Sequence, residues 1–150
     1  MAPTPGEIAA VLAEGRAEMA NLFTDSGRIT KPGTGARVRD EATGQYTDPA
    51  RVVVYEGPCR IQVKADINSN VVESTAGERE WTYLTAQLQL PVTTPAGATG
   101  SVDDVDVDYV LEVLTAPYSP TLVGTLFNIQ GTYHKSQAVY GRYRVREVVQ

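Results

Sequence analysis

Val52-Val53-Val54-Tyr55-Glu56-Gly57-Pro58-Cys59-Arg60-Ile61-Gln62-Val63-Lys64 is the stretch that decides the fold class. Cys59, Ile61 and Val63 alternate with Arg60, Gln62 and Lys64, the period-two pattern of a strand with one face buried and one wet. The run before them is β-branched and aromatic, so the stretch reads as two strand-like runs hinged at Glu56-Gly57-Pro58. Cys59, the only cysteine of the chain, falls on the buried face. One cysteine cannot form an intramolecular bridge, and a small buried thiol acts as packing.

Upstream, Thr4-Pro5-Gly6-Glu7 has the form of a capping box, with proline at the first helical position where its missing N–H costs nothing. A helix is predicted from there, within residues 1–24. Ile8, Val11, Leu12, Gly15, Met19 and Leu22 recur at three- and four-residue spacing, with Glu7, Glu14 and Glu18 on the other side. The stripe covers the protein's own core or docks on a neighbouring subunit, and Ile8, Val11, Leu12 and Met19 are the candidate docking residues. Arg28-Ile29-Thr30 should be a first strand. Asp40 to Tyr46 reads as a polar hairpin tip leading, after Asp48-Pro49, into the Val52 strand.

Downstream, residues 65–79 are polar and weakly patterned, a long loop of the kind that is functional or disordered. Alternation resumes from Trp81 to Leu90, with Leu84, Ala86, Leu88 and Leu90 on one face, and Pro91 ends it. Val105, Val107, Tyr109, Leu111 and Val113 then alternate with Asp104, Asp106, Asp108 and Glu112, which predicts a long strand with an acidic outer face. Leu122 to Ile129 should form a further strand, and Val139 to Val148 closes the chain with Arg142, Arg144 and Arg146 on one face. No internal repeat is visible. Six to seven short strands with one amino-terminal helix predict a mainly β protein, a small barrel or sandwich in a single domain over residues 1–150.

Thirteen Lys and Arg against eighteen Asp and Glu give a net charge of −5. That balance opposes general attraction to a phosphate backbone. No apolar run approaches the roughly 20 residues that cross a bilayer, and the amino terminus lacks the basic and apolar segments of a signal peptide. A soluble protein made in the cytoplasm is expected, with no membrane contact. Catalysis is not expected either: the one histidine, His134, sits in a turn-like segment, and the chain carries no Gly-x-Ser-x-Gly elbow and no phosphate loop. One Cys and one His fall short of a structural zinc set, and the valines between Asp104, Asp106 and Asp108 enforce extension rather than a calcium loop. No cofactor is expected. The aspartate row and the arginine row read instead as solvated faces, or as complementary faces that help pair neighbouring copies in a ring.

In this arrangement the chain resembles the head-completion proteins of long-tailed bacteriophages, the head-to-tail connector or stopper family, particularly those of phages of actinobacteria. The resemblance is carried by Leu22-Phe23-Thr24-Asp25 running into Arg28-Ile29-Thr30-Lys31-Pro32, the Asp40 to Tyr46 turn, and Val54 to Gln62. It continues through Leu88-Gln89-Leu90-Pro91-Val92 and Leu122 to Ile129. It implies a small β-barrel assembled in the host cytoplasm into a homo-oligomeric ring, a hexamer, at the head-tail joint of the virion. The ring would lie beneath a portal-adaptor protein and above a tail terminator or tail tube, with DNA passing through the lumen without sequence-specific binding. It further implies that the loop from Lys64 to Glu80 acts as a channel gate, with Ala65, Asp66, Asn68, Ser69, Asn70, Glu73, Ser74 and Glu78 as its candidate residues.

Within the same joint the alternatives are a tail terminator or an adaptor. From another class the alternatives are a soluble ligand- or oligosaccharide-binding β-barrel and a single-stranded nucleic-acid module. The last would need basic and aromatic residues on one strand face. Tyr143 falls on the face opposite Arg142, Arg144 and Arg146, which argues against it.

Overall fold

The computed structural model describes residues 2–63, 85–133, 138 and 140–148. Helix α1 (Pro5–Ala20) precedes strands β1 (Asp25–Lys31), β2 (Val38–Arg39), β3 (Tyr46–Thr47) and β4 (Val52–Val63). After them come β5 (Thr85–Pro91), β6 (Thr99–Gly100), β7 (Val110–Thr115), β8 (Leu126–Tyr133) and β9 (Tyr140–Glu147). All pairings in the main sheet are antiparallel, in the order β1-β7-β8-β9-β5-β4, and β4 pairs back onto β1. The six strands therefore close a barrel, and β6 adds to β4 as a seventh. β2 and β3 form a separate exposed hairpin, where the Asp40 to Tyr46 tip was expected.

β4 is one uninterrupted strand, which corrects the hinge expected at Glu56-Gly57-Pro58. Gly57 and Pro58 lie inside the ladder, opposite Gly27 and Ser26 of β1. Gly57 serves close approach rather than a turn: Tyr55 folds back over it, and its hydroxyl donates to the Pro58 carbonyl at 2.6 Å. A Cβ on Gly57 would lie 2.8 Å from the Ala98 Cβ and 3.0 Å from the Tyr55 hydroxyl. The irregularity in β4 falls instead at Val54, which the β1 register skips, since Ile29 faces Tyr55 and Thr30 faces Val53. This bulge lets Val54 and Tyr55 both turn inward. The Val54 carbonyl, freed from β1, accepts from Ser101 N at 3.0 Å. Gly100, with φ 76°, makes that approach possible, because a side chain there would collide with the Val54 carbonyl.

Inward-facing residues fill the barrel completely. Ile29, Tyr55, Leu88, Leu111, Phe127 and Ile129 are fully buried, drawn from β1, β4, β5, β7 and β8, and Val145 adds β9. Cys59 is among them, against Gly27. On the outside Arg28 sits between Glu56 and Glu112 of the flanking strands, with N–O distances of 3.2 and 3.6 Å. All three side chains are a third or more exposed, so this ladder adds little stability.

Two predicted strands are corrected. The acidic stretch is not a strand: Val102–Asp104 forms a one-turn 3-10 helix capped by Ser101, and β7 begins only at Val110. Asp108 has φ 69°, the left-handed region that aspartate tolerates, and this breaks the extended path. Its N–H donates to the Ile129 carbonyl at 2.8 Å, hooking the segment onto β8. Val102 and Val105 are buried as anchors of a docked loop, while Val107 remains partly exposed, so the valine alternation marks loop docking and not a pleat. Likewise Leu122 to Ile129 opens as a 3-10 turn, Pro120–Leu122, with Leu122 buried, passes Gly124 at φ 84°, and becomes β8 only at Leu126.

Three tests follow from the buried group around Gly57. Burial, with Asp25 adding repulsion, pushes the Cys59 thiol up to about 12 from an unfolded value near 9.0. The thiol is therefore neutral in the folded state up to high pH, and stability should fall as pH rises from about 9 towards 12; Cys59→Ala should reduce that loss, leaving the part that the buried Tyr55 hydroxyl, also raised, contributes at the upper end. Thiol reagents at pH 8 should label Cys59 only after denaturation, and prompt stoichiometric labelling of the native chain would contradict this packing. Tyr55→Phe removes the donor to the Pro58 carbonyl and should cost about 1–3 kcal/mol in urea unfolding, whereas an unchanged midpoint would show that bond to be dispensable.

Candidate functional site

An antiparallel barrel has two rims. At one lie the end of β4 and the start of β5, paired up to Val63 opposite Ala86, together with the end of β9 and the start of β8. At the other lie the end of β5, the start of β9 and the docked acidic segment. The candidate gate residues Ala65, Asp66, Asn68, Ser69, Asn70, Glu73, Ser74 and Glu78 lie outside the described residues, as does His134. What the structure does fix is that their segment leaves from and returns to the first rim.

The second rim carries a pocket of about 150 Å³. Pro91 and Val92 line one side, Val102 and Asp103 another, and Tyr140 to Tyr143 with Thr132 and Ala138 complete it. Tyr143 leans over Gly141, so that a Cβ there would lie 3.4 Å from the Tyr143 ring. Burial raises the Tyr143 hydroxyl above its ordinary pKa, and the Asp103 and Asp106 carboxylates push it the same way. Arg142 Nε and Nη2 donate to the Tyr140 hydroxyl at 3.2 and 2.9 Å, with the guanidinium 5.3 Å from the ring centroid. Among the described residues, no cluster of three His, Cys, Asp or Glu side chains is arranged to hold a metal ion. The pocket is a polar mouth above a packed interior.

Arg142, Arg144 and Arg146 do share the outward face of β9, because Tyr143 and Val145 point in. Arg144 is exposed, the other two half-buried. In register beside them stand Gln89, Gln87 and Thr85 of β5, and Gln89 Nε2 donates to both Gln62 and Gln87 at 3.1 Å. The opposing row expected at Asp104, Asp106 and Asp108 does not exist as a face. Asp106 Oδ1 accepts from the neighbouring Val107 N at 2.7 Å and Asp108 sits at a left-handed corner, so these carboxylates do not line a strand.

Helix α1 has the expected capping box, with the Thr4 N–H donating to Glu7 Oε2 at 2.7 Å and the Glu7 N–H to Thr4 Oγ1 at 3.3 Å. None of its residues is fully buried. Ile8, Leu12, Gly15, Arg16 and Met19 are half-buried on one side, and α1 rests against β5. Three of the four candidate docking residues, Ile8, Leu12 and Met19, are thus half-buried on the barrel-facing side. Val11 is the exception at 69% exposed. Arg16, also on this side, donates through Nε and Nη2 to the Ala138 carbonyl at the second rim, both at 3.2 Å. That contact, and the pocket itself, had no signal in the sequence, since both depend on which strand ends the barrel brings together.

The chain matches a family of unknown function, DUF6093, over residues 15–146. It belongs to this family. The match runs from within α1 to the end of β9 and so takes in the whole barrel. No curated protein and no solved structure matches the chain. Among the described residues, no helix of this family member is long and apolar enough to cross a membrane.

The contact between the acidic segment and β9 is open to a direct test. In spectrophotometric titration Tyr143 should ionise later than the exposed tyrosines, and Asp103→Asn should bring it earlier. A titration curve that Asp103→Asn leaves unmoved would mean that the carboxylate does not face Tyr143.

Proposed function

We propose that this chain is a structural virion protein that forms a ring at the head-tail joint of a long-tailed bacteriophage. It acts there as the connector or stopper that retains packaged DNA and offers the tail its attachment surface. The observation that carries this reading is where the resembling stretches fall on the fold. In chain order they are the exit of α1 with β1, the β2–β3 tip, β4, the end of β5, and the entry into β8. All belong to the barrel or to the hairpin beside it, so the resemblance follows the framework and not a scatter of loops.

The interior supports the same reading by what it leaves no room for. Its core side chains fill the barrel, so neither a sizeable ligand nor a DNA strand passes through one subunit. Any channel must form between copies, which makes outward surfaces the functional ones. The pocket at the second rim, at about 150 Å³, is smaller than the roughly 300–1,000 Å³ of ordinary ligand sites, which disfavours the ligand-binding barrel. In the ring reading the two rims face different partners, a portal-adaptor protein above and a tail terminator or tail tube below.

Cryo-electron microscopy of the phage that encodes this chain tests the proposal. The expected result is a closed ring of this barrel between portal and tail. Purified virions that contain no copy of the chain would overturn it, and a ring placed directly on the portal or at the tail end would reassign it as adaptor or tail terminator.

A further inference from the structure

The outward face of β5 departs from its pattern at Gln89. Leu88 and Leu90 beside it point into the barrel, so the Gln89 side chain points out, yet it is only 3% exposed. Helix α1, which rests against β5, is the described element that covers this face. Beneath the cover Gln89 Nε2 donates to Gln62 Oε1 and to Gln87 Oε1. Gln89 Oε1 is buried as well, but among the described residues no donor reaches it. An acceptor in that position has lost its water without gaining a partner, and it bears that cost only while the cover is closed.

The cover itself is lightly held. No residue of α1 is fully buried, and its inner stripe of Ile8, Leu12, Gly15 and Met19 is half-buried with a glycine near its centre. The polar tether that the structure shows between α1 and the barrel is Arg16, whose Nε and Nη2 both donate to the Ala138 carbonyl. Past the helix, Asn21 and Leu22 are exposed and Phe23 is buried, so the chain is pinned to the barrel at Phe23 with a short hinge before the pin.

We propose that α1 is a strap that closes over the outer face of β5 and opens as a unit about residues 21–22, with Arg16 as its latch and Gln89 as the group that favours opening. Opening returns Gln89 Oε1 to water and uncovers a row of amides, Gln62, Gln87 and Gln89, on adjacent strands. Closing regains the contacts of Ile8, Leu12 and Met19 and the Arg16 bond. The contributions oppose one another, which is what a two-state element requires. The strap belongs to the free chain, whether or not that chain enters a ring.

Native-state hydrogen exchange of the full chain, resolved to single amides, tests this. The amides inside α1 should exchange together, about 100-fold or more faster than those of β4, β5 and β8, because the strap opens while the barrel stays closed. Arg16→Ala should speed α1 exchange about tenfold. Alanine is the better helix former, so fraying of the helix alone predicts the opposite sign. Gln89→Met removes the unpartnered acceptor at similar length and should slow α1 exchange about tenfold, since Gln62 and Gln87 are only half-buried and can turn to water. Barrel amides that keep their rates verify that each variant is folded. Amides of α1 as slow as those of the barrel, or α1 rates that either substitution leaves unmoved, would overturn the proposal.

Discussion

Closure of the sheet through β4 is the constraint on which the rest of this structure depends. A strand has two edges, and β4 uses both, each over part of its length. β1 takes one edge from Val52 to Cys59, while β6 and then β5 take the other, at Tyr55 to Glu56 and at Arg60 to Val63. Such sharing requires β4 to be long and strongly twisted, and the bulge at Val54 supplies local bending. Pro58 cannot donate to a ladder, and Gly57 has no side chain to pack, yet both sit where the strand passes over Tyr55. The hydroxyl of Tyr55 takes up the Pro58 carbonyl, so a polar atom in the interior is paired and the strand stays continuous.

The same stretch explains what was legible in the sequence. Period-two alternation identified the inward residues of β5 and β9, and Ala86, Leu88, Leu90 and Val145 are buried as the pattern required. The capping box at Thr4 and the hairpin tip at Asp40 to Tyr46 also formed as read, because both are local chemistry within a few residues. The failures have one cause: Gly-Pro within β4 and Val-Asp repeats before β7 have local meanings that tertiary contacts override. Glycine at Gly57 answers a side chain folded onto it, and the valines at Val102 and Val105 answer a barrel end that needs covering. Neither need is visible until strands far apart in sequence are brought together.

For the candidate surfaces the outcome was mixed in an instructive way. The arginine face survived because three arginines on alternate positions of a real strand must share a side. The aspartate row did not, because its strand does not exist. The helix kept its period, and that period set Ile8, Leu12 and Met19 on the side that rests against β5.

One consequence of the β4–β5 hairpin concerns how this family can vary. Val63 and Ala86 remain paired at the rim, so the connection between β4 and β5 starts and ends on the sheet itself. The entropy of closing such a connection grows only with the logarithm of its length, and doubling it costs about 0.6 kcal/mol. Changes of length between those two anchors therefore cost the closure of the sheet little.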